Sequence, residues 1–379
     1  MANQKLSDAK KAKNDEFYTQ LSDIQKEVNA YLEYNPNVFR DKTILLPCDD
    51  PEWSNFTRFF AQNFERFGLK KLISTSYAYE SKHISVPYQL SIFESEAPHF
   101  DSKKTKKHGK IFTLTRDKNK SGNIDINDLE WKYLKGDGDF RSKEVCSLRD
   151  EADIIITNPP FSLFREFVAW IFEKEKNFLI IGNQNAITYK EVFPLIKDNK
   201  MWLGNGFNGN VGFFESPYQD YAVSSQHIEG CIRISGVMWF TNLDHGRRHQ
   251  PLSLMTMADN IKFSKHKEIR ENGYLKYDNY EAIEIPYTDA IPSDYDGVMG
   301  VPITFLSKYC PEQFEILGTD SPYYVELLGI KNMGEKWIEA YKQQGGTGHL
   351  TANMHSLCLY NKYGQALSVY KRILIKRKK

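Results

Sequence analysis

Residues 151–167 of this 379-residue chain, EADIIITNPPFSLFREF, set an amide, two prolines and an aromatic ring just after three isoleucines and a threonine. The Asn158 side-chain oxygen and the Pro159 carbonyl are both hydrogen-bond acceptors, and two acceptors can grip an –NH2 group from two sides. Pro159 has no N–H to donate and, with Pro160, stiffens the turn so that both acceptors can point the same way. Phe161 adds a flat apolar face on which a nucleic-acid base could stack. Pro-Pro alone often does no more than end a strand. Asn-Pro-Pro-Phe straight after an apolar strand is far more specific.

Other candidates are weaker taken singly. Asp49 and Asp50 close KTILLPCDD, and a carboxylate at a strand end can accept the hydroxyl hydrogens of a sugar diol. The next residues, Pro51-Glu52-Trp53, include no glycine, which restricts how closely backbone can approach a ligand. Asp139 and Phe140 lie in GDGDFRS, which alone reads as a turn. Phe17, Tyr18 and Thr19 lie in NDEFYT, where a helix begins. Arg247 and Arg248 follow a strand in LDHGRRHQ, and arginine forks suit guanine edges or phosphates. The lysines at 103, 104, 106 and 107 form a basic run that fits a solvated loop at least as well as phosphate contact.

Residues 117–128, DKNKSGNIDIND, match the spacing of a twelve-residue calcium loop through Asp117, Asn119, Ser121, Gly122, Ile124 and Asp125. Position twelve is Asp128, shorter than the usual glutamate, and the preceding KIFTLTR is strand-like, so a surface turn held by Asx hydrogen bonds is the favoured reading. His245 and His249 lack acidic neighbours at metal-ligand spacing. No catalytic metal is expected.

These residues need a frame. Leu21, Ile24, Val28 and Leu32 at helical spacing predict an amphipathic helix that ends before Pro36. Beyond it, KTILLPCDD, KKLISTSYA, DIIITNPPF and NFLIIGNQNAIT read as strands, with helices SNFTRFFAQNFERFGL and SLFREFVAWIFEKE between them. Apolar β-branched runs separated by helices predict an α/β fold with a mostly parallel sheet covered on both faces. Residues 204–217, rich in glycine and asparagine, are expected to form a long loop, and CIRISGVMWFTNL a strand pair or hairpin. After about residue 245 helices become hard to find and the end is basic, which sets a soft boundary between 1–245 and 246–379.

Composition is that of a globular protein, 41% hydrophobic and 26% charged. With a formal net charge of +1, any nucleic-acid surface must come from local asymmetry. Five scattered cysteines without a CxxC pair argue against a disulfide framework or zinc site and for a reducing compartment. The polar N-terminus lacks a signal peptide's apolar core, and no apolar run reaches membrane-spanning length. A soluble, cytoplasmic protein is expected, without a membrane partner.

In NDEFYT, LPCDDPEWSNF, GDGDFRS, EADIIITNPPFSLFREF, WFTNLDH and GVPITFL the chain resembles the EcoRI-type adenine-specific DNA methyltransferases. The order of these motifs is that of the gamma-class amino-methyltransferases. The resemblance implies a Rossmann-like catalytic domain (1–245) and a C-terminal target-recognition region (246–379) that includes Arg247 and Arg248. It implies S-adenosylmethionine as cofactor, with Phe17, Tyr18 and Thr19 closing over its methionine tail. Asp49 and Asp50 would hold it at the first strand, and Asp139 and Phe140 at its adenine. It further implies Asn158, Pro159, Pro160 and Phe161 as the catalytic motif acting on an adenine flipped out of double-stranded DNA, with a cognate restriction endonuclease as a possible partner. Two alternatives stand beside this: a methyltransferase for RNA or a protein glutamine, and an inactive DNA-binding relative.

Overall fold

The computed structural model describes residues 18–49, 54–78, 100–118, 121–122, 124, 128–215 and 231–378. The chain divides into two compact units, Met1–Ile196 with Lys200–Gly246, and Lys197–Asn199 with Arg247–Lys379.

The first unit is built on an eight-stranded sheet. In chain order its strands, with those of a small companion sheet, are β1 (Tyr18–Thr19), β2 (Thr43–Leu46), β3 (Lys71–Ser76), β4 (Lys110–Leu114), β5 (Glu130–Tyr133), β6 (Ile154–Thr157), β7 (Asn177–Asn183), β8 (Trp202–Leu203), β9 (Val211–Glu215), β10 (Cys231–Ser235) and β11 (Val237–Thr241). The large sheet runs β5-β4-β3-β2-β6-β7-β11-β8. The class is α/β, as expected, with the parallel part confined to the central strands. There β2 pairs in parallel with both β3 and β6, and β6 with β7. The outer pairings, β3 with β4, β4 with β5, β7 with β11 and β11 with β8, are antiparallel.

Both faces of the central strands are buried, which is why they read as unbroken apolar runs. Ile44, Leu46, Ile154, Ile156, Leu179 and Ile181 share one core with Ile24, Val28 and Tyr31 of the helix Leu21–Tyr34 and with Phe56, Phe59 and Phe60 of the helix Asn55–Gln62. Leu45, Ile155, Phe178 and Ile180, one residue out of step, are buried too. Each such side chain stabilises the fold by about 1.5–3 kcal/mol. On the helix Phe164–Phe172, Phe164 packs on Phe240 of β11 with ring centroids 5.2 Å apart, and a side chain at Gly182 of β7 would collide with it.

The stretch expected to be one loop at 204–217 contains β9, which pairs antiparallel with β1 and β10 in a three-stranded sheet. The segment expected to be a strand pair is split between sheets: β10 joins β9, while β11 joins β7 and β8. The switch is made at Gly236, whose φ of +72° is open to glycine and strained for other residues.

In the second unit a four-stranded sheet runs β12 (Ala282–Glu284), β13 (Val298–Pro302), β17 (Arg372–Arg377), β14 (Phe314–Thr319), and a separate ribbon pairs β15 (Cys358–Tyr360) with β16 (Ala366–Ser368). The basic end of the chain is therefore an interior strand, with Ile373, Leu374 and Ile375 fully buried. Arg372 enters it by pairing with the buried Glu284 at 2.6 Å. Helices in this unit are short, from six residues (Lys267–Asn272) to nine (Glu335–Gln343), too short for a clear helical period in the sequence.

Candidate active site

In the large sheet β2 lies between β3 and β6, so the chain leaves β2 toward one neighbour and returns on its other side. Open α/β sheets bind ligands in the crevice at such a reversal, outside the carboxyl ends of the strands. Asp49 follows β2 there and Asn158 follows β6.

Asp49 is 4% exposed, and both carboxylate oxygens are engaged. Oδ1 accepts the Ser54 hydroxyl and Oδ2 accepts the Thr157 hydroxyl, each at 2.6 Å. Its amide donates to the Thr75 carbonyl at 3.0 Å, and its carbonyl accepts the hydroxyls of Ser74 and, at 3.2 Å, Thr57. Ser54 also caps the helix Asn55–Gln62 by accepting the Phe56 amide. One aspartate thus joins the ends of three strands to the start of a helix. Asn55, at the head of that helix, donates from Nδ2 to the Thr19 carbonyl at 2.9 Å. The Thr19 hydroxyl is buried with no hydrogen-bond partner among the described residues, the kind of group that a bound polar ligand satisfies.

The GDGDFRS loop is pressed against the end of β3. Gly138 has φ +89°, and a Cβ there would come within 2.4 Å of the Ser76 carbonyl. This explains why that glycine stands between two aspartates. The approach brings the Tyr77 hydroxyl 3.3 Å from Asp139. Burial, with the charges of Asp137 and Asp139, pushes the Tyr77 phenol well above its ordinary value. Asp139 itself loses water by burial, which alone would raise its carboxyl. The hydrogen bonds and charge of Arg141 outweigh that and hold it below the usual range.

Arg141 also donates to Glu166 at 2.7 Å, which ties this loop to the first turn of the helix behind Asn-Pro-Pro-Phe. Phe140 is 5% exposed and meets Phe167 and Trp170 edge to face, with centroids 5.0 and 5.6 Å away. Helix side chains, rather than an open ligand face, surround its ring. In Asn-Pro-Pro-Phe, Asn158 and Pro160 are half-buried and Pro159 is buried, while Phe161 opens a short 3-10 turn and packs against the core.

The structure brings together Tyr18, Thr19, Asp49, Asp139, Phe140 and Asn158 to Phe161 within the first unit. Phe17 and Asp50 lie outside the described residues, as do several positions of the 117–128 loop. In the rest of that loop Asp117 accepts the amides of Ser121 and Gly122, four and five residues on, at 3.2 and 2.8 Å. Among the described residues no group of three His, Cys, Asp or Glu could hold a metal ion.

Sequence reasoning missed Thr157, Arg141 and Glu166, which meet partners far along the chain. It also missed Glu27, 1% exposed, which accepts the Tyr31 hydroxyl and the amides of Asn205 and Gly206.

In the second unit the two expected DNA-contacting arginines separate. Arg247 lines an open cavity of about 320 Å3 together with Lys308, Asp289 and Gln250. Arg248 is 7% exposed and donates to Asn199. The expectation named both for DNA contact; in the fold one lines a cavity and the other is buried.

The chain matches the family described as adenine-specific methyltransferase EcoRI over residues 5–378. It is 42% identical over 320 residues to the type II methyltransferase M.EcoRI of Escherichia coli, covering 83% of this chain and 89% of that one. Against the type II methyltransferases M.MpnI of Mycoplasma pneumoniae and M.MgeORF184P of Mycoplasma genitalium it is 35% identical over 329 residues, 85% of this chain and 88% of each. No solved structure matches it. With Asn-Pro-Pro-Phe at the sheet's reversal and a family match along nearly its whole length, the chain belongs to the EcoRI family of adenine-specific methyltransferases.

Proposed function

We propose that this adenine-specific DNA methyltransferase takes its methyl group from S-adenosylmethionine and delivers it to the exocyclic amine of an adenine rotated out of the duplex. The observation that carries the reading is the position of Asn158, directly after the central strand β6 at the sheet's reversal. The side-chain oxygen of Asn158 and the Pro159 carbonyl accept the two amine hydrogens and so aim the nitrogen lone pair. Positive charge grows on that nitrogen as the bond to carbon forms, and the same two acceptors stabilise it. Phe161, anchored on one side by the core, offers its remaining surface to the flipped base.

The cofactor fits the residues present. The buried Thr19 hydroxyl awaits a polar partner, and Asp139 is a carboxylate already oriented by Arg141. Tyr18, Thr19 and Asp139 would hold the cofactor, and its sulfonium supplies an activated methyl group. Asp49, with both oxygens engaged by the protein, supports this site from behind.

Residues 247–379, through Arg247 rather than Arg248, supply target recognition in this reading. A DNA substrate supports a cytoplasmic location. The relatives named above are type II methyltransferases, and a restriction endonuclease with the same recognition site is the matching partner in this reading. Among the described residues no helix is long and apolar enough to cross a membrane.

Incubation with methyl-labelled S-adenosylmethionine and a mixed duplex DNA library, followed by sequencing of modified sites, tests the reading. One short motif carrying N6-methyladenine is expected. Label in RNA or protein with none in DNA would replace the substrate, and no label in any polymer would leave a DNA-binding protein.

A further inference from the structure

The hydroxyl of Thr157 and the carboxylate of Asp49 meet at 2.6 Å across the reversal between β2 and β6. Thr157 is fully buried and is the residue immediately before Asn158. Asp49 is fixed in turn: its backbone is bonded to β3 through Thr75 and Ser74, and its other oxygen to Ser54.

From this arrangement we infer that Asp49 and Thr157 are positioning residues that set where the Asn158 acceptor stands relative to the methyl donor. The inference deepens the catalytic reading given above and rests on it. Physically, Asn158 sits past the last paired residue of β6, since Thr157 pairs with Ile180 and the ladder then stops. Two prolines follow that donate no hydrogen bonds. The Thr157 side chain adds a restraint of its own, tying the end of β6 sideways to the turn after β2. Because that turn also starts the helix whose Asn55 holds the Thr19 carbonyl, one chain of bonds connects a proposed cofactor contact to the catalytic amide. In-line transfer is steep in geometry, and a misplacement of about 1 Å can lower a rate ~100-fold.

The test uses the full-length protein with S-adenosylmethionine and its duplex site. Thr157→Val keeps the shape and the branched Cβ that suits a strand but removes the hydroxyl, and Thr157→Ser keeps the hydroxyl. For Thr157→Val a single-turnover methylation rate about 10- to 100-fold below the parent is expected. Dissociation constants for S-adenosylhomocysteine, by calorimetry, and for DNA should stay within about twofold, and Thr157→Ser should recover most of the rate. Ser54→Ala frees the other Asp49 oxygen and should give a smaller loss of the same kind, which keeps the test open if Thr157→Val does not fold. A parental rate in both Thr157→Val and Ser54→Ala would overturn the proposal. So would a rate loss matched by lost cofactor affinity, or a Thr157→Ser as slow as the valine variant. Asn158→Ala, run alongside, separates the two levels. If it too keeps the parental rate, the catalytic reading has failed; if it alone is slow, only the brace has.

Discussion

The guanidinium of Arg141 lies bidentate on the carboxylate of Asp139, with Nε 2.9 Å from one oxygen and Nη2 2.6 Å from the other. Half-exposed ion pairs stabilise a fold by only about 0–1 kcal/mol, so the value of this one lies in direction. Together with the Tyr77 hydroxyl and the Arg141 amide it fixes the plane of that carboxylate, and through Glu166 it ties it to the helix behind Asn-Pro-Pro-Phe.

Removing that carboxylate should therefore act on binding before chemistry. Asp139→Ala is expected to weaken S-adenosylhomocysteine binding by roughly 1–3 kcal/mol, the effect of stranding a hydrogen-bonding partner. Arg141→Lys, which keeps the charge and loses the fork, should weaken it less. Calorimetry decides the matter: unchanged affinity in Asp139→Ala would make GDGDF a structural turn.

Asn158→Ala removes an acceptor needed while charge develops. Turnover should fall by about two orders of magnitude or more, with DNA and cofactor affinity nearly kept. A turnover within about threefold of the parent would exclude Asn158 from the transition state.

Phe161 packs against the core and in the proposed reading also meets the base, so the two roles need separate readouts. Phe161→Ala should lower stability by about 1–3 kcal/mol, less than a fully buried ring would. It should also reduce 2-aminopurine fluorescence at the target position. Activity should fall less on a target adenine opposite an abasic site, which is easier to extrude, than on paired DNA. Equal losses on both substrates with undiminished fluorescence would leave Phe161 a packing residue alone.

Arg247 and Arg248, adjacent in sequence, should behave oppositely. Arg247→Ala is expected to weaken DNA binding and reduce the salt slope by about one unit, with thermal stability near the parent's. Arg248→Ala removes a buried side chain and its bond to Asn199 and should lower the melting temperature. Methylation motif and salt slope unchanged in Arg247→Ala would move recognition to other residues.

Glu27 gives a pH dependence with a definite sign. Burial raises its carboxyl above the ordinary value of 4.5, against the hydrogen bonds from Tyr31, Asn205 and Gly206. The folded state then holds a proton more tightly than the unfolded chain. Its contribution to stability is complete below the ordinary glutamate value and is lost as pH rises through the raised one. Urea denaturation at several pH values should show the parent losing stability upward from that value relative to Glu27→Gln. Parallel curves for the two proteins would refute this.

What could be read from residues alone follows from how local its cause is. The isoleucines before Asn158 announce a strand buried on both faces, and the period of Ile24 and Val28 announces a helix, because each pattern is written in neighbouring positions. Gly138 is legible as a turn, yet its reason, the Ser76 carbonyl, lies 62 residues away and leaves no local trace. Thr157 looks like one more β-branched strand residue until Asp49 arrives from 108 positions earlier. Arg247 and Arg248 look alike in sequence, and only the fold shows one lining a cavity and the other buried. At 372–377, charges flank a short apolar run, and composition there hides an interior strand.

That interior strand also bears on how the second unit is made. During synthesis β12, β13 and β14 leave the ribosome before β17, the strand that must lie between β13 and β14. Until it is delivered, the facing edges of β13 and β14 have unmet backbone hydrogen bonds, and exposed edges invite pairing with other chains. Closure of this sheet is a late, long-range event, and contacts of that kind form slowly. In a nascent chain the first unit can gather its core while the second still waits for its central strand.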